Sequence, residues 1–256
     1  MTVPTIVDTG QGPPLVLVPG MQGRWEWMAP SVDALATRCR VVTYSLGRAN
    51  TGGFDSFIDQ LDAVLAEAGL DAAHLCGVSY GGLIALRYAA RRSERVRSLT
   101  IVSTPSPSWK PDPRTTRYLR TPRLMAPAFV AGSPGRLWPE IRAVFDTRRE
   151  RLVFAVEHTR RVTWAPFSPV RMAARVRLMG EIDFRVDCAG IEAPTMVVTG
   201  EPALDQVVPV SATLEFAEAI AGAETTVLDR TGHIGFATRP ESFAAIVAGF
   251  VERHAG

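Results

Sequence analysis

The apolar residues of this chain fall into two recurring patterns. Short runs rich in valine, leucine and isoleucine predict buried strands, and longer stretches with apolar residues at every third or fourth position predict amphipathic helices. The predicted strands are residues 5–8, 15–18, 40–45, the first part of 74–90, 96–103, 195–199 and 225–229. The predicted helices are residues 30–37, 54–68, the second part of 74–90, 211–221 and 241–253. Because strands alternate with helices, the pattern predicts an α/β fold whose mostly parallel sheet of about seven strands carries helices on both faces.

The alternation stops between residues 106 and 187. Prolines interrupt this segment, arginines are frequent in it, and Ile141 and Phe145 follow a helical spacing. We therefore expect a core domain formed by residues 1–105 and 188–256, and a helical lid, or cap, formed by residues 106–187.

One predicted strand runs directly into a helix, and a serine stands at the junction. The local sequence is Gly77-Val78-Ser79-Tyr80-Gly81, a Gly-x-Ser-x-Gly string. A turn this sharp brings strand and helix close together, so residues without a Cβ are needed at its two ends. The turn holds the serine clear of its neighbours and beside the free N–H groups of a helix N-terminus. Because a serine hydroxyl alone is a weak nucleophile, Ser79 can react only if a base lies within hydrogen-bonding distance.

The composition excludes several classes of function. With 28 basic and 26 acidic residues the net charge is +2, which is too balanced for a nucleic-acid or membrane-surface partner. The three cysteines, Cys39, Cys76 and Cys188, are scattered and lack the spacing of metal ligands. We interpret them as reduced, buried thiols of a cytoplasmic protein, since the sequence shows neither a signal peptide nor an apolar run of membrane-spanning length. No metal or organic cofactor is expected, and the oligomeric state stays open.

Two later strands end in residues that can supply the missing base and acid. Asp205 follows the predicted strand 195–199, and His233 follows the predicted strand 225–229. Both therefore belong to the carboxyl ends of strands, where parallel sheets bind their ligands. Alternative candidates for the acid are Glu201 and Asp229. The other three histidines are interpreted as structural or solvent-facing: His74, His158 and His254.

The order Ser79, Asp205, His233 resembles that of the α/β-hydrolase family, in which a serine elbow is followed by an acid and then by a C-terminal Gly-His. The resemblance covers nearly the whole chain, because three further segments match family landmarks: Asp183-Phe184-Arg185, Ala193-Pro194-Thr195 and Pro240-Glu241-Ser242-Phe243. It implies that Ser79 is the nucleophile, that His233 is general base and then acid, and that Asp205 orients the imidazole. It also implies an oxyanion hole formed by the backbone N–H groups of Met21 and Tyr80.

The sequence departs from the family pattern at four places. Pro19-Gly20 stands where the family usually has His-Gly, and Tyr44-Ser45-Leu46-Gly47-Arg48 replaces an Asp-x-Arg-Gly landmark. The acid loop is longer than the common form, so Asp205 is assigned by its spacing to Pro209. The N-terminal segment is short, and the family's first edge strand is predicted to be absent. The first two departures affect the conformation of the loops that carry them.

The lid is expected to determine the substrate, because loops and lids on a rigid scaffold carry specificity. Candidate residues of an apolar acyl pocket are Gln22, Trp25, Phe129, Trp138, Phe145, Trp164 and Ile234. The aromatic residues among them have an alternative role as the lid's own core. The lid arginines either attract an acidic substrate or form solvated helix faces: Arg114, Arg117, Arg120, Arg123, Arg148, Arg149, Arg160, Arg161, Arg171, Arg175 and Arg177.

The leading hypothesis is a serine hydrolase that acts on a small-molecule carboxylic ester with a largely apolar acyl group. The reaction proceeds through an acyl-enzyme, and lactones and thioesters lie within its range. Two alternatives keep the same triad, namely hydrolysis of a carbon–carbon bond beside a ketone and cofactor-free perhydrolase activity. An alternative from a different class is a hydrolase-like ligand receptor or signalling protein, which predicts product formation near one equivalent of protein.

Overall fold

The computed structural model describes residues 5–48 and 52–255, and the strands found there form one seven-stranded sheet. The strands are β1 (Ile6–Thr9), β2 (Pro14–Val18), β3 (Arg40–Tyr44), β4 (Ala73–Val78), β5 (Val96–Val102), β6 (Thr195–Thr199) and β7 (Glu224–Val227). Their order across the sheet is β1-β3-β2-β4-β5-β6-β7. Only β1 runs antiparallel to its neighbour, β3, and every other pair is parallel. The predicted α/β fold with a mostly parallel sheet is confirmed.

Helices connect the strands. In the first part of the chain these are α1 (Ala29–Leu35), α2 (Ser56–Glu67) and α3 (Tyr80–Arg91). Between β5 and β6 lie α4 (Pro113–Arg120), α5 (Pro122–Ala131), α6 (Ser133–Val144), α7 (Arg148–Trp164), α8 (Pro169–Gly180) and α9 (Arg185–Cys188). The last part contains α10 (Val210–Ala219), α11 (Gly235–Thr238) and α12 (Pro240–Arg253). Short 3-10 helices occur at Trp25–Met28, Gly53–Asp55 and Ser93–Arg95.

The side chains of β2 show how the sheet is covered on both faces. Leu15 and Leu17 belong to one buried apolar cluster, which also contains residues of α1 and α12. Val16 and Val18 belong to a second cluster, which contains residues of α2, α3 and α10. Successive residues of a strand point to opposite faces, so a strand that is apolar throughout must be buried on both sides.

The chain between β5 and β6, here called the helical insertion (residues 106–187), starts its helices with clear sequence signals. Asp112, Thr147 and Ser168 are N-cap residues of α4, α7 and α8, and the side chain of each accepts a hydrogen bond from a backbone N–H of the first turn. Thr147 and Glu150 form a reciprocal capping box. The helices α4, α5, α6 and α8 contact one another within the insertion. Its division from the core as a separate lid stays a prediction.

The carboxyl ends of the strands bring three loops together. Val18 pairs with Gly77, so the turn after β2 lies beside the junction between β4 and α3. The loops after β6 and β7 leave from the same edge of the sheet, because these strands are parallel to β4 and β5. In the described residues no strand precedes Ile6. The predicted absence of a first edge strand also concerns residues 1–4, which lie outside the described part.

The glycines of the β4–α3 junction are required by close backbone contacts. A Cβ on Gly81 would overlap with the carbonyl oxygens of Val18 and Pro19, and a Cβ on Gly77 would overlap with the backbone of Gly81. Neither neighbour is the end of a flexible side chain, so the backbone itself would have to move.

Gly81→Ala is therefore expected to lower the free energy of unfolding by about 2–3 kcal/mol, the typical cost of overpacking a core position. The measurement is urea-induced unfolding followed by circular dichroism. Gly249→Ala is the matched control, since Gly249 lies in α12 and a Cβ there meets no atom within 4 Å. The control should be neutral or stabilising by up to about 1 kcal/mol. Equal stabilities of the two variants would contradict the prediction.

Candidate active site

Ser79 occupies the junction between β4 and α3 in a strained backbone conformation. Its φ is 54° and its ψ is −120°, a region that residues with a side chain rarely adopt. The Ser79 N–H donates to the carbonyl oxygen of Val102 at 2.8 Å, and the Ser79 carbonyl accepts from the N–H of Gly82 at 2.9 Å. These two bonds fix the bend, and Ser79 stays half-buried at the carboxyl edge of the sheet.

His233 lies between Ser79 and Asp205 and is hydrogen-bonded to both. Its Nε2 is 3.2 Å from the Ser79 Oγ, and its Nδ1 is 3.3 Å from the Asp205 Oδ2. The second carboxylate oxygen, Oδ1, accepts from the N–H groups of Val207 and Val208, each at 2.9 Å. The side chains of His233 and Asp205 are only 12% and 2% exposed. The structure thus brings together the three side chains that the sequence singled out.

The alternative acids point elsewhere. The Glu201 side chain accepts a hydrogen bond from the backbone N–H of Arg230 at 2.6 Å. Asp229 takes part through its backbone carbonyl, which accepts from the Arg239 guanidinium at 2.7 Å. In the described part of the chain neither carboxylate is hydrogen-bonded to His233, and Asp205 is therefore the acid that the geometry favours.

The other three histidines are packed away from Ser79. Buried His74 is hydrogen-bonded through Nδ1 to the Ser98 hydroxyl at 2.8 Å, and burial lowers its pKa to about 4. The ring of His158 stacks on Phe154, and burial lowers its pKa as well. His254 is hydrogen-bonded to the carbonyl of Phe250 at 2.9 Å.

The turn after β2, residues 19–23, is here called the β2 turn. The N–H of Gly23 closes it by donating to the carbonyl of Gly20 at 2.8 Å. A Cβ on Gly20 would lie 3.5 Å from the Cβ of Ser79, so the β2 turn packs directly against the serine. Tyr80 is the first residue of α3, where helix N–H groups have no partner within the helix. The backbones of Met21 and Tyr80 therefore flank Ser79, and their role as an oxyanion hole stays a prediction.

Glu140, which the sequence analysis missed, contacts the histidine loop from the helical insertion. It lies in α6 and is 1% exposed. Its Oε2 accepts from the backbone N–H of Ile234 at 3.0 Å, and its Oε1 accepts from the Thr238 hydroxyl at 2.8 Å. Burial raises the pKa of this carboxyl, although these hydrogen bonds oppose the shift. A single glutamate within a helical pattern carries no sequence signal for such a role.

The folded protein holds a proton on Glu140 more tightly than the unfolded chain does. The contribution of this residue to the free energy of unfolding should therefore fall as the pH rises. The unfolded carboxyl loses its proton near its ordinary pKa of about 4.3, and the folded one loses it at higher pH. Glu140→Gln removes this dependence. We expect the unfolding free energy of the variant, relative to that of the wild type, to increase as the pH rises above the ordinary carboxyl pKa of about 4.3.

The measurement is urea unfolding at a series of pH values. Exposed Glu218 in α10 provides the control, as Glu218→Gln makes the same exchange on the surface and should change the unfolding free energy by less than about 0.5 kcal/mol. Parallel curves for wild type and Glu140→Gln would contradict the prediction.

A cavity of about 350 Å³ lies between the insertion helices α4, α5 and α8 and the acid loop. Its walls are mainly apolar, and two arginines, Arg114 and Arg136, stand among them. Gln206 and Val207 complete the wall directly after Asp205, whereas neither Ser79 nor His233 lines it. The cavity is therefore adjacent to the acid loop, not to the serine itself.

The predicted pocket residues are distributed over several places. Phe129 lines the cavity. Phe145 and Ile234 instead belong to a small apolar cluster with Ile141 and Phe154. The structure corrects the expectation for Trp164 and Trp138, which are 87% and 48% exposed and do not enclose the cavity. Gln22 lies in the β2 turn and Trp25 lies next to it. Both side chains are half-buried, and neither lines the cavity.

Neither a metal cluster nor a membrane-spanning helix is found in the described residues. No group of three His, Cys, Asp or Glu side chains there is placed to hold a metal ion. None of the described helices is both long and apolar enough to cross a bilayer. The three cysteines are free and buried, and burial raises the thiol pKa of Cys39 to about 11 and that of Cys188 to about 12.

The fold and the arrangement of Ser79, His233 and Asp205 define an α/β-hydrolase. The model of the alpha/beta hydrolase family matches residues 15–246, and the chain belongs to this family. RutD of Rhizobium rhizogenes, which is named as a carbamate hydrolase, is 28% identical over 93% of this chain and 92% of its own. The pimeloyl-[acyl-carrier protein] methyl ester esterase of Aeromonas hydrophila is 28% identical over 94% and 96%. The solved enol-lactonase of Burkholderia xenovorans LB400 superposes with a TM-score of 0.78 at 22% identity, covering 97% of this chain and 96% of its own.

Proposed function

We propose that this α/β-hydrolase cleaves carboxylic esters, including lactones, through an acyl-enzyme on Ser79. The observation that carries the proposal is the hydrogen-bonded series from Ser79 through His233 to Asp205, with distances of 3.2 and 3.3 Å. The series stands at the carboxyl edge of the sheet on a strained junction, and strain of this kind collects at functional sites. Two relatives whose names state hydrolysis of an ester or a carbamate support the same chemistry.

In the first half of the reaction, the Ser79 Oγ attacks the ester carbonyl while the His233 Nε2 accepts its proton. Asp205 accepts a hydrogen bond from His233 Nδ1–H and stabilises the imidazolium. Two backbone N–H groups hold the other carboxylate oxygen, so Asp205 keeps its direction towards the ring. The N–H groups of Met21 and Tyr80 donate to the oxygen on which negative charge develops. The imidazolium then gives its proton to the leaving alcohol, and the acyl group stays on Ser79.

In the second half, a water molecule replaces the alcohol. His233 removes a proton from the water as its oxygen attacks the acyl carbon. The tetrahedral intermediate collapses, the carbon–Oγ bond breaks, and His233 returns the proton to the Ser79 oxygen. This half releases a carboxylic acid and the free enzyme, and the reaction as written consumes only the ester and water.

The cavity beside the acid loop supports a substrate with an apolar group away from the reacting carbonyl, because its walls are mainly apolar and neither Ser79 nor His233 lines it. Phe129, Phe167, Met172 and Val176 contribute to its walls. A pocket of about 350 Å³ lies in the range that binds small molecules.

A carbamate is the second candidate substrate, because the RutD relative carries that name over nearly the full length of both chains. The same attack by Ser79 applies, and His233 then protonates an amine or alcohol leaving group. Carbon–carbon hydrolysis, perhydrolysis and a receptor role stay predictions from the sequence.

The test combines labelling with turnover. Intact mass after treatment with a fluorophosphonate probe is compared for the wild type, Ser79→Ala and His233→Ala. We expect one probe per wild-type chain, mapped to Ser79, and none on either variant. A panel of esters, lactones, thioesters and carbamates, with a diketone for carbon–carbon cleavage, is then screened for multiple turnovers. Product that stops at one equivalent of protein across the panel would overturn the proposal in favour of the receptor.

A further inference from the structure

Arg175 is a buried cation that forms no ion pair with any carboxylate of the described residues. It lies in α8 of the helical insertion and is 3% exposed. Its Nη1 donates to the carbonyl oxygen of Met21 at 2.7 Å, and its Nη2 donates to the carbonyl oxygens of Leu46 and Gly47 at 3.0 and 3.4 Å. In the described part of the chain it forms no ion pair. The structure thus places this arginine inside the protein and not on a solvated helix face or at a substrate entrance.

The carbonyls that Arg175 binds belong to the β2 turn and to the loop after β3. These two segments are also joined directly, because the Leu46 N–H donates to the Gly23 carbonyl at 3.0 Å. The guanidinium therefore lies where a helix of the insertion meets two loops of the sheet edge. A neutral side chain of similar size cannot donate hydrogen bonds to three carbonyls at once. The planar guanidinium carries five N–H donors and has no acceptor.

The β2 turn determines the direction of the Met21 N–H. The Gly20 carbonyl and the Met21 N–H belong to the same planar peptide group and point in opposite directions. The hydrogen bond from Gly23 to the Gly20 carbonyl therefore fixes the orientation of that peptide. Arg175 fixes the next peptide by binding the Met21 carbonyl. The two bonds together determine where the Met21 N–H points.

Gly23 and Arg175 fit one another closely. Gly23 has a positive φ of 67°, and a Cβ on it would overlap with the guanidinium of Arg175. The guanidinium thus packs against the closing residue of the β2 turn. The first residue of the β2 turn, Pro19, has neither a backbone N–H nor a polar side chain with which to hold the turn.

The environment of Arg175 is costly for a charge. Burial lowers its pKa to about 10, and the nearby charge of Arg171 acts in the same direction. The arginine still carries its proton at neutral pH, so a positive charge lies behind the peptide that follows Met21. This charge favours an oxygen anion at the neighbouring site, because electrostatic interactions strengthen where water is excluded.

We propose that Arg175 is a positioning residue, which holds the β2 turn so that the Met21 N–H faces the reacting carbonyl oxygen. For its effect on turnover the inference rests on the proposed function. It makes α8 of the helical insertion a structural part of the oxyanion site. Removal of the guanidinium should lower kcat more than it raises KM, since the oxyanion forms only as the carbonyl reacts.

The experiment compares Arg175→Ala, Arg175→Lys and the control Arg171→Ala, an exposed arginine one turn earlier in α8. Protein labelled with ¹⁵N-methionine gives a spectrum of few peaks, because the chain has seven methionines. The Met21 amide is identified by the peak lost in Met21→Leu. Steady-state kinetics on the best ester and the rate of fluorophosphonate labelling are measured on the same samples, with and without guanidinium ion at a concentration that does not unfold the protein.

We expect Arg175→Ala to shift the Met21 peak and to lower kcat by about 10- to 100-fold, with KM changed by less than about threefold. Added guanidinium should restore both the peak and part of kcat. Arg175→Lys replaces the planar guanidinium with one compact ammonium, and it should show the same changes to a smaller extent. If the alanine variant does not fold, the lysine variant is the one that tests the proposal. Arg171→Ala should match the wild type with or without guanidinium.

A wild-type Met21 peak in folded Arg175→Ala would overturn the inference, and so would a shifted peak with unchanged kcat. Failure of the proposed function is seen separately, as a wild type that hydrolyses no compound of the panel. In that case the labelling rate replaces kcat, and the Met21 peak, which depends on no reaction, still decides whether Arg175 positions the turn.

Discussion

Ser79→Ala should lower kcat for ester hydrolysis by at least about 10⁴-fold, because the acyl-enzyme cannot form without the Oγ. Activity that remains would come from substrate binding and from the N–H groups of Met21 and Tyr80, which the substitution leaves in place. The measurement is kcat on the best ester of the panel, with enough enzyme to detect a trace of turnover.

The strain at this residue provides a control for misfolding. Ser79→Gly and Ser79→Ala both remove the nucleophile, but only glycine adopts a φ of 54° without steric cost. The glycine variant should therefore be more stable than the alanine variant by about 1–2 kcal/mol, while both lose at least about 10⁴-fold in kcat. A kcat of the well-folded glycine variant within about tenfold of the wild type would exclude Ser79 as the nucleophile.

The places of several residues could be predicted from local sequence patterns and from the order of the strands. The apolar run before Gly77 and the helical spacing after Gly81 predicted the strand and the helix that meet at Ser79. Asp205 and His233 were predicted from their places after two late strands, and parallel pairing brings those strand ends to one edge. This topology brings His233 within hydrogen-bonding distance of Ser79 and Asp205.

The residues that the sequence did not predict act through tertiary contacts. Arg175 and Glu140 each belong to a helix whose pattern shows which face is apolar, but not which loop of the core that face meets. Trp164 was a candidate for the acyl pocket, with the lid's own core as the alternative, yet its position at the end of α7 leaves it in solvent. The spacing of residues along a helix carries no information about the partner across the contact.

Two buried ionisable residues of the helical insertion contact the candidate site, one at the histidine loop and one at the β2 turn. Glu140 of α6 binds the backbone that follows His233, and Arg175 of α8 binds the backbone that follows Met21. Both of these contacts join a side chain of the insertion to a main-chain group of the core, and Glu140 also accepts a hydrogen bond from the Thr238 hydroxyl. The insertion thus contacts the main chain of two loops of the candidate site in addition to lining a cavity.

Asp205→Asn should lower kcat by about 10⁴-fold with little effect on folding. The asparagine oxygen can still accept from the N–H groups of Val207 and Val208, so the acid loop keeps its hydrogen bonds. Its amide nitrogen then faces the Nδ1 of His233 and donates to it. The imidazole must place its proton on Nε2, next to Ser79, and it can no longer accept the proton of the serine hydroxyl. The measurement is kcat for the ester, together with the rate of fluorophosphonate labelling.

Glu201→Gln and Asp229→Asn are the matched controls, because each removes one negative charge from a loop at the same edge of the sheet. Both should retain kcat within about threefold of the wild type, since screened charges that do not contact the imidazole contribute little. A larger loss in either control than in Asp205→Asn would assign the acid to that residue. It would also mean that His233 turns away from Asp205 during the reaction, because in the structure its Nδ1 is hydrogen-bonded to Asp205 and to neither alternative.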